Sequence, residues 1–142
     1  MAISEFVSTE LVSRANINNR ITQANLCFPV SLYSNVSGTT STVQLSDSAA
    51  NYNYLEIYFK DNDGEFGCTK VYSPDGKPLL LSTIKVSGGG NRTWLKSQKV
   101  SISGTSITFG TDQGQATMVN NDVSSMAVWA TISICYVIGY KY

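Results

Sequence analysis

The sequence predicts a mainly β fold: a single β-sandwich of Greek-key or jelly-roll type, preceded by a short N-terminal helix. Three observations predict it. Apolar and polar residues alternate at a period of two in segments such as Tyr54–Lys60 and Val128–Tyr142. Turn signals such as Asp61-Asn62-Asp63-Gly64 and Ser73-Pro74-Asp75-Gly76 separate such segments at short intervals. Charged residues make up only 14% of the chain, against roughly 25% in an ordinary domain, with Ser, Thr, Asn and Gly in their place. The 142 residues suffice for one domain with a real core. The expected organisation is a helical segment over residues 1–25 and a sandwich over residues 26–142.

Residues 8–25 stand apart. Ser8 or Thr9 can cap a helix, and Glu10 in its first turn suits the macrodipole. Leu11, Ala15, Ile21 and Ala24 gather on one side, with Asn16, Asn18, Asn19, Gln23 and Asn25 over the rest. Such a short, Asn-rich helix is marginal alone. It either caps the sandwich or packs against copies of itself, and Asn18 and Asn25, one heptad apart and in step with Leu11, suit the second arrangement.

The β signal runs from residue 26. Leu26–Tyr33 reads as a first strand, with Pro29 marking an edge or bulge. The loop Ser34–Gly38 leads to Thr39–Leu45. Tyr54–Lys60 places Leu55, Ile57 and Phe59 on one face and Tyr54, Glu56, Tyr58 and Lys60 on the other. Glu65–Tyr72 returns after the Asp-Gly turn, and Pro78–Val86 follows the next one. Ser87–Asn91 is a Gly-rich loop, and Thr93–Ser103 and Thr105–Gly110 form a pair around Ser103-Gly104. Residues 111–127 read as a loop with one weak strand near Ala116–Val119. In the last stretch Ala130, Ile132, Ile134, Tyr136 and Ile138 share one face, and Thr131, Ser133, Cys135 and Val137 the other. So apolar a strand belongs in the middle of a sheet or under another subunit, because an exposed edge of this kind invites aggregation.

Composition excludes much chemistry. The net charge is +0, with ten basic and ten acidic residues, so there is no basic field for nucleic acid. Histidine is absent, which removes Ser-His-Asp and Cys-His catalysis and any His metal site. Cys27, Cys68 and Cys135 form no C-x-x-C pair, and Cys68 and Cys135 read as small core side chains. The N-terminal stretch lacks the pattern of a signal peptide and no run is long enough to span a bilayer, so the expected place of synthesis is the cytoplasm.

Asp61–Glu65 has the opening of a calcium loop, but its twelfth residue is Tyr72 rather than Glu, so a hairpin turn is the simpler reading. Ser87–Gly90 lacks the Gly-Lys-Ser/Thr ending of a phosphate loop. Most carboxylates lie in turns, and no two are marked as a glycosidase pair. No catalytic residue, metal ligand or cofactor is therefore assigned. The aromatic residues Tyr52, Tyr54, Tyr58, Tyr72, Trp94 and Trp129 are more suggestive, because Trp and Tyr stack on sugar rings and anchor interfaces. Trp94, beside the Gly-rich loop with Asn91 and Arg92, is the first choice for a ligand-binding aromatic. Tyr52 and Tyr54 come second.

The segment Leu11–Asn25 resembles the Asn-rich opening helix of small tail-tip proteins from phages and prophages of Gram-positive bacteria. Tyr54–Phe59, Val100–Thr108 and Ile134–Lys141 resemble the head domains of such tail fibre or baseplate proteins. The likeness spans most of the chain as a pattern of strands and turns. It implies a virion component without catalysis, a homotrimer of β-sandwich heads that meets other tail or baseplate proteins and recognises saccharide on the host envelope. It supplies no set of binding residues. A polysaccharide-degrading enzyme of the same tail, or a small interaction module unrelated to phages, are the alternatives.

Overall fold

The computed structural model describes residues 14–25, 28–86, 92–119, 122–127 and 131–142. Helix α1 covers Arg14–Asn25. The expected helix start at residues 8–13, Cys27, the loop 87–91 and residues 128–130 lie outside the described residues.

The strands are β1 (Val30–Thr39), β2 (Val43–Gln44), β3 (Tyr54–Asp61), β4 (Phe66–Tyr72), β5 (Pro78–Val86), β6 (Arg92–Ser103), β7 (Ser106–Val119), β8 (Asp122–Ala127) and β9 (Ile132–Tyr140). They form two antiparallel sheets, β1-β9-β3-β4 and β2-β7-β6-β5, with β8 on the free part of β7. In the second sheet β5, β6 and β7 are consecutive hairpins, and β2 lies beside β7, which is a Greek-key relation. The sequence expectation of a β-sandwich holds, and β9 is indeed central, between β1 and β3.

The core lies between the sheets. Leu55, Ile57, Phe59, Ile132, Ile134 and Val137 of one face Val43, Leu81, Val100, Ile102 and Ile107 of the other, all buried. Strand β3 alternates buried and half-buried without a break, as its sequence predicts. Pro29 directly precedes β1, an edge strand, where a missing N–H costs no ladder bond.

Four expectations are corrected. First, Ser34–Gly38 is not a loop between strands but a bulged excursion within β1. Ser34 pairs with Tyr136 and Thr39 with Ile134, so four residues of β1 face one of β9. The excursion is closed locally: Asn35 Oδ1 accepts from Ser37 N–H, Asn35 Nδ2 donates to the Gly38 carbonyl, and Gly38 takes φ +77°. Second, residues 111–127 are not a loop. β7 continues to Val119 along β6, and β8 adds to its other side. The sequence hides this because the stretch is polar and broken by Gly, while ladder hydrogen bonds are blind to side-chain polarity. Third, Cys68 is exposed on β4, whereas Cys135 is buried. Fourth, the faces of β9 are not those of a regular alternation. Tyr58 pairs with Tyr136 but Phe59 with Ile134, which leaves Cys135 as one surplus residue. Beyond it the parity reverses. Val137 joins Ile132 and Ile134 in the core, while Tyr136, Ile138 and Tyr140 are only half-buried.

Candidate functional site

The inner face of the second sheet changes character along its length. Cross-strand rows run Leu79–Val100–Phe109, then Leu81–Gln98–Gln113, then Thr83–Lys96–Gln115, then Lys85–Trp94. The first row is apolar core and the last two are polar. The β3–β4 turn lies over the third row. There Thr83 Oγ1 donates to Asp61 Oδ2 at 2.7 Å, and the Lys96 ammonium reaches Asp61, Asn62 and Asp63. The result is a cleft of about 310 Å³ at that end of the sandwich, lined by Asn62, Asp63, Lys85, Trp94, Lys96 and Gln115.

The turn is built for this position. Asp61 Oδ1 accepts from the backbone N–H of Asp63 at 2.8 Å and of Glu65 at 3.1 Å, and Gly64 supplies φ +86°. It is the hairpin turn the sequence suggests, and its oxygens already hold a cation. Lys96 Nζ lies 2.5 Å from Asp63 Oδ2, 2.9 Å from Asn62 Oδ1 and 3.5 Å from Asp61 Oδ2. The Lys96 side chain is 2% exposed, so this ammonium is neutralised inside the wall. Burial pushes the Asp61 carboxyl up, but the hydrogen bonds from Thr83 and the two backbone N–H groups, with the charge of Lys96, outweigh it and hold the group below its ordinary value. Among the described residues no group of three or more Cys, Asp or Glu is placed to hold a metal ion.

What faces the opening is a mixed set. The half-buried Trp94 indole forms one wall. The Lys85 ammonium and the Asp63 carboxylate, 35% and 37% exposed, sit 3.9 Å apart. The amides of Asn62 and Gln115 complete the lining. Such a cleft can stack an apolar ring face and exchange hydrogen bonds with hydroxyls at its rim.

The residues singled out in the sequence go to different places. Trp94 lines the cleft; Arg92, two residues along β6, is exposed and outside the lining; Asn91 lies outside the described residues. Tyr52 is a core residue, 6% exposed, with its ring against Gly139 and its hydroxyl donating to Asp47 Oδ2 at 3.0 Å. Burial first, then the Asp47 hydrogen bond and charge, raise its hydroxyl to about 12. Tyr54 stands on the outer face of the first sheet. Tyr140 stacks on its ring at 4.4 Å and 11°, and Lys70 Nζ lies 4.3 Å from the ring centre. Stacked rings leave no space for an ammonium between them, so the two occupy opposite faces of Tyr54, and a sugar stacking there would have to displace Lys70. Nearby, Glu56 accepts from Tyr140 at 2.9 Å and Tyr58 at 3.0 Å and pairs with Lys70, and those contacts, Tyr140 first, hold it below the usual carboxylate range despite partial desolvation.

Lys85, Lys96 and Gln115 were not singled out by sequence reasoning, and Asn62 and Asp63 entered it only as part of a hairpin turn. A signal existed for Lys96. Val100 and Ile102 are core positions, and period two carries that parity back through Gln98 and Lys96 to Trp94. Polar residues at core parity mark where a core opens.

The chain matches no protein-family model, and no curated protein matches it. Among the described residues no helix is long and apolar enough to cross a membrane.

Proposed function

We propose that the chain is a non-catalytic saccharide-recognising head domain, with the Trp94 cleft as its binding site. The observation that carries this reading is the cleft's composition: one half-buried indole together with a carboxylate, two amides and two ammonium groups, of which Lys96 is held in the wall. Sugars present an apolar C–H face and a rim of hydroxyls, and this lining answers both. Asp61 is committed to Thr83, two backbone N–H groups and Lys96, which leaves Asp63 as the partly exposed carboxylate of the lining and favours binding over acid–base hydrolysis.

The wider setting in this proposal is a homotrimeric head on a phage tail tip, contacting other tail or baseplate proteins. The resemblance of the opening helix and of three β segments to such proteins supports it. So does α1, which exposes Ile17 and Ile21, one turn apart, on a 12-residue helix too short to be stable unaided. Several weak sites on one particle would gain affinity by avidity.

A glycan array and adsorption to host cells, run with the wild-type chain and with Trp94→Ala, test the reading. Binding that Trp94→Ala abolishes supports it. The absence of glycan binding and adsorption refutes it.

A further inference from the structure

Resting on the saccharide reading, we infer that the Trp94 cleft selects an uncharged sugar, gripped through two neighbouring hydroxyls, and turns away acidic sugars. The four charges of the cleft, Asp61, Asp63, Lys85 and Lys96, sum to zero, and Asp63 Oδ2 meets both lysines. Lys96 is spent inside the wall on Asp61, Asn62 and Asp63 and offers no charge to a ligand. The opening is left with one cation and one anion, Lys85 and Asp63, nearly equally exposed and 3.9 Å apart. A sugar carboxylate drawn to Lys85 meets Asp63 at a comparable distance, so attraction and repulsion offset each other while the carboxylate still gives up its water. An amino sugar meets the mirror-image problem at Lys85.

A neutral vicinal diol avoids both penalties. Each hydroxyl is donor and acceptor at once. One can donate to Asp63 while its neighbour accepts from Lys85 or from Asn62. The Asn62 orientation is set by chemistry, because an ammonium can only be met by the amide oxygen; Oδ1 faces Lys96 at 2.9 Å, which leaves Nδ2 as the donor. Trp94 then covers the ring face, and the Gln115 amide, which can donate or accept, meets a third substituent from the other wall. At about 310 Å³ the cleft is at the small end of ligand sites, which suits one sugar unit rather than a long chain.

Isothermal titration of the full chain with methyl glucoside, methyl galactoside and methyl N-acetylglucosaminide, against methyl glucuronide and N-acetylneuraminic acid, tests this. The expected result is binding of at least one neutral glycoside about tenfold or more tighter than either acid, a gap equal to one unpaired charge contact. Asp63→Asn removes the anion and should shift selectivity toward the acids by about tenfold. Lys85→Gln removes the cation and should move it the other way, and because Lys85 is partly exposed this variant tests the idea even if Asp63→Asn folds poorly. Tighter binding of an acid that Trp94→Ala abolishes would overturn the inference and leave the saccharide reading standing. No shift in either charge variant would also overturn it. Failure of every sugar to bind at millimolar concentration would overturn both.

Discussion

Replacing Lys96 by Met should destabilise the sandwich by about 3 kcal/mol. Met keeps most of the aliphatic stem and removes the ammonium. Breaking a buried ion pair costs roughly 3–5 kcal/mol because the remaining charge is stranded. Of the three partners, Asn62 is neutral, and Asp63, 37% exposed at its side chain, is screened by water. The cost therefore falls on Asp61, at 4% exposure, and three hydrogen bonds still hold that carboxylate, which places the figure at the low end. With a urea slope of about 2 kcal/mol per molar, the midpoint should fall by about 1.5 M. Circular dichroism is the suitable probe, since Trp94 lies beside the mutation. Lys96→Met with Asp61→Asn should recover at least half of the loss, because Asn can still accept from the turn and the Thr83 hydroxyl can rotate. The pH dependence gives a second arm. The folded carboxyl of Asp61 is held below its ordinary value of 3.8, so its contribution is present above that pH and is lost as the pH falls through the lower folded value. The gap between wild type and Lys96→Met should therefore narrow below pH 4. A midpoint shift under about 0.3 M, or no rescue by Asp61→Asn, would refute the reasoning.

Other outcomes follow from the same structure. Gly139→Ala should lower stability by about 2–3 kcal/mol, because a Cβ there would lie 2.5 Å from Cε1 and 2.8 Å from Cγ of Tyr52, whose ring is held by Asp47 and by Lys141 at 4.7 Å; a thermal midpoint unchanged within a degree or so would contradict the packing. The Tyr52 hydroxyl, raised from 10.0 to about 12, contributes stability that is full below pH 10 and fades as the pH climbs toward 12. Urea midpoints of Tyr52→Phe should decline less steeply over that interval, and parallel slopes would count against the burial of the Tyr52 hydroxyl and its bond to Asp47. Light scattering should give three times the mass of one chain, and Ile17→Lys with Ile21→Lys in the full chain should reduce it to one; a monomeric wild type would remove the trimer from the proposal.

Much of the sandwich was legible because period two survives wherever one face is buried and the other is not. Strand β3 is the clearest case, with Leu55, Ile57 and Phe59 fully inside. Pro78–Val86 was legible to the residue, since turn residues punctuate both ends. Strand β7 was not, because beyond Gly110 its side chains no longer report a single dry face. The cleft was legible only through Trp94. Its other walls come from β5, β7 and a turn more than twenty residues away in sequence, and spacing along one strand carries no information about which turn will lie over it. Tyr54 misled for a related reason. A half-buried ring looks available until its cross-strand neighbours are known, and here they fill both of its faces.

The surplus residue at Cys135 acts as a phase shift in the carboxyl-proximal strand. Everything after it is rotated by half a pleat, which is why Gly139 meets Tyr52 and Tyr140 meets Tyr54 and Glu56. Were the strand to pair straight through that residue instead of skipping it, the result would be a frameshift in space rather than in codons: the downstream phenols would be driven into the interior and Val137 out into water, with every amino acid still correctly spelled.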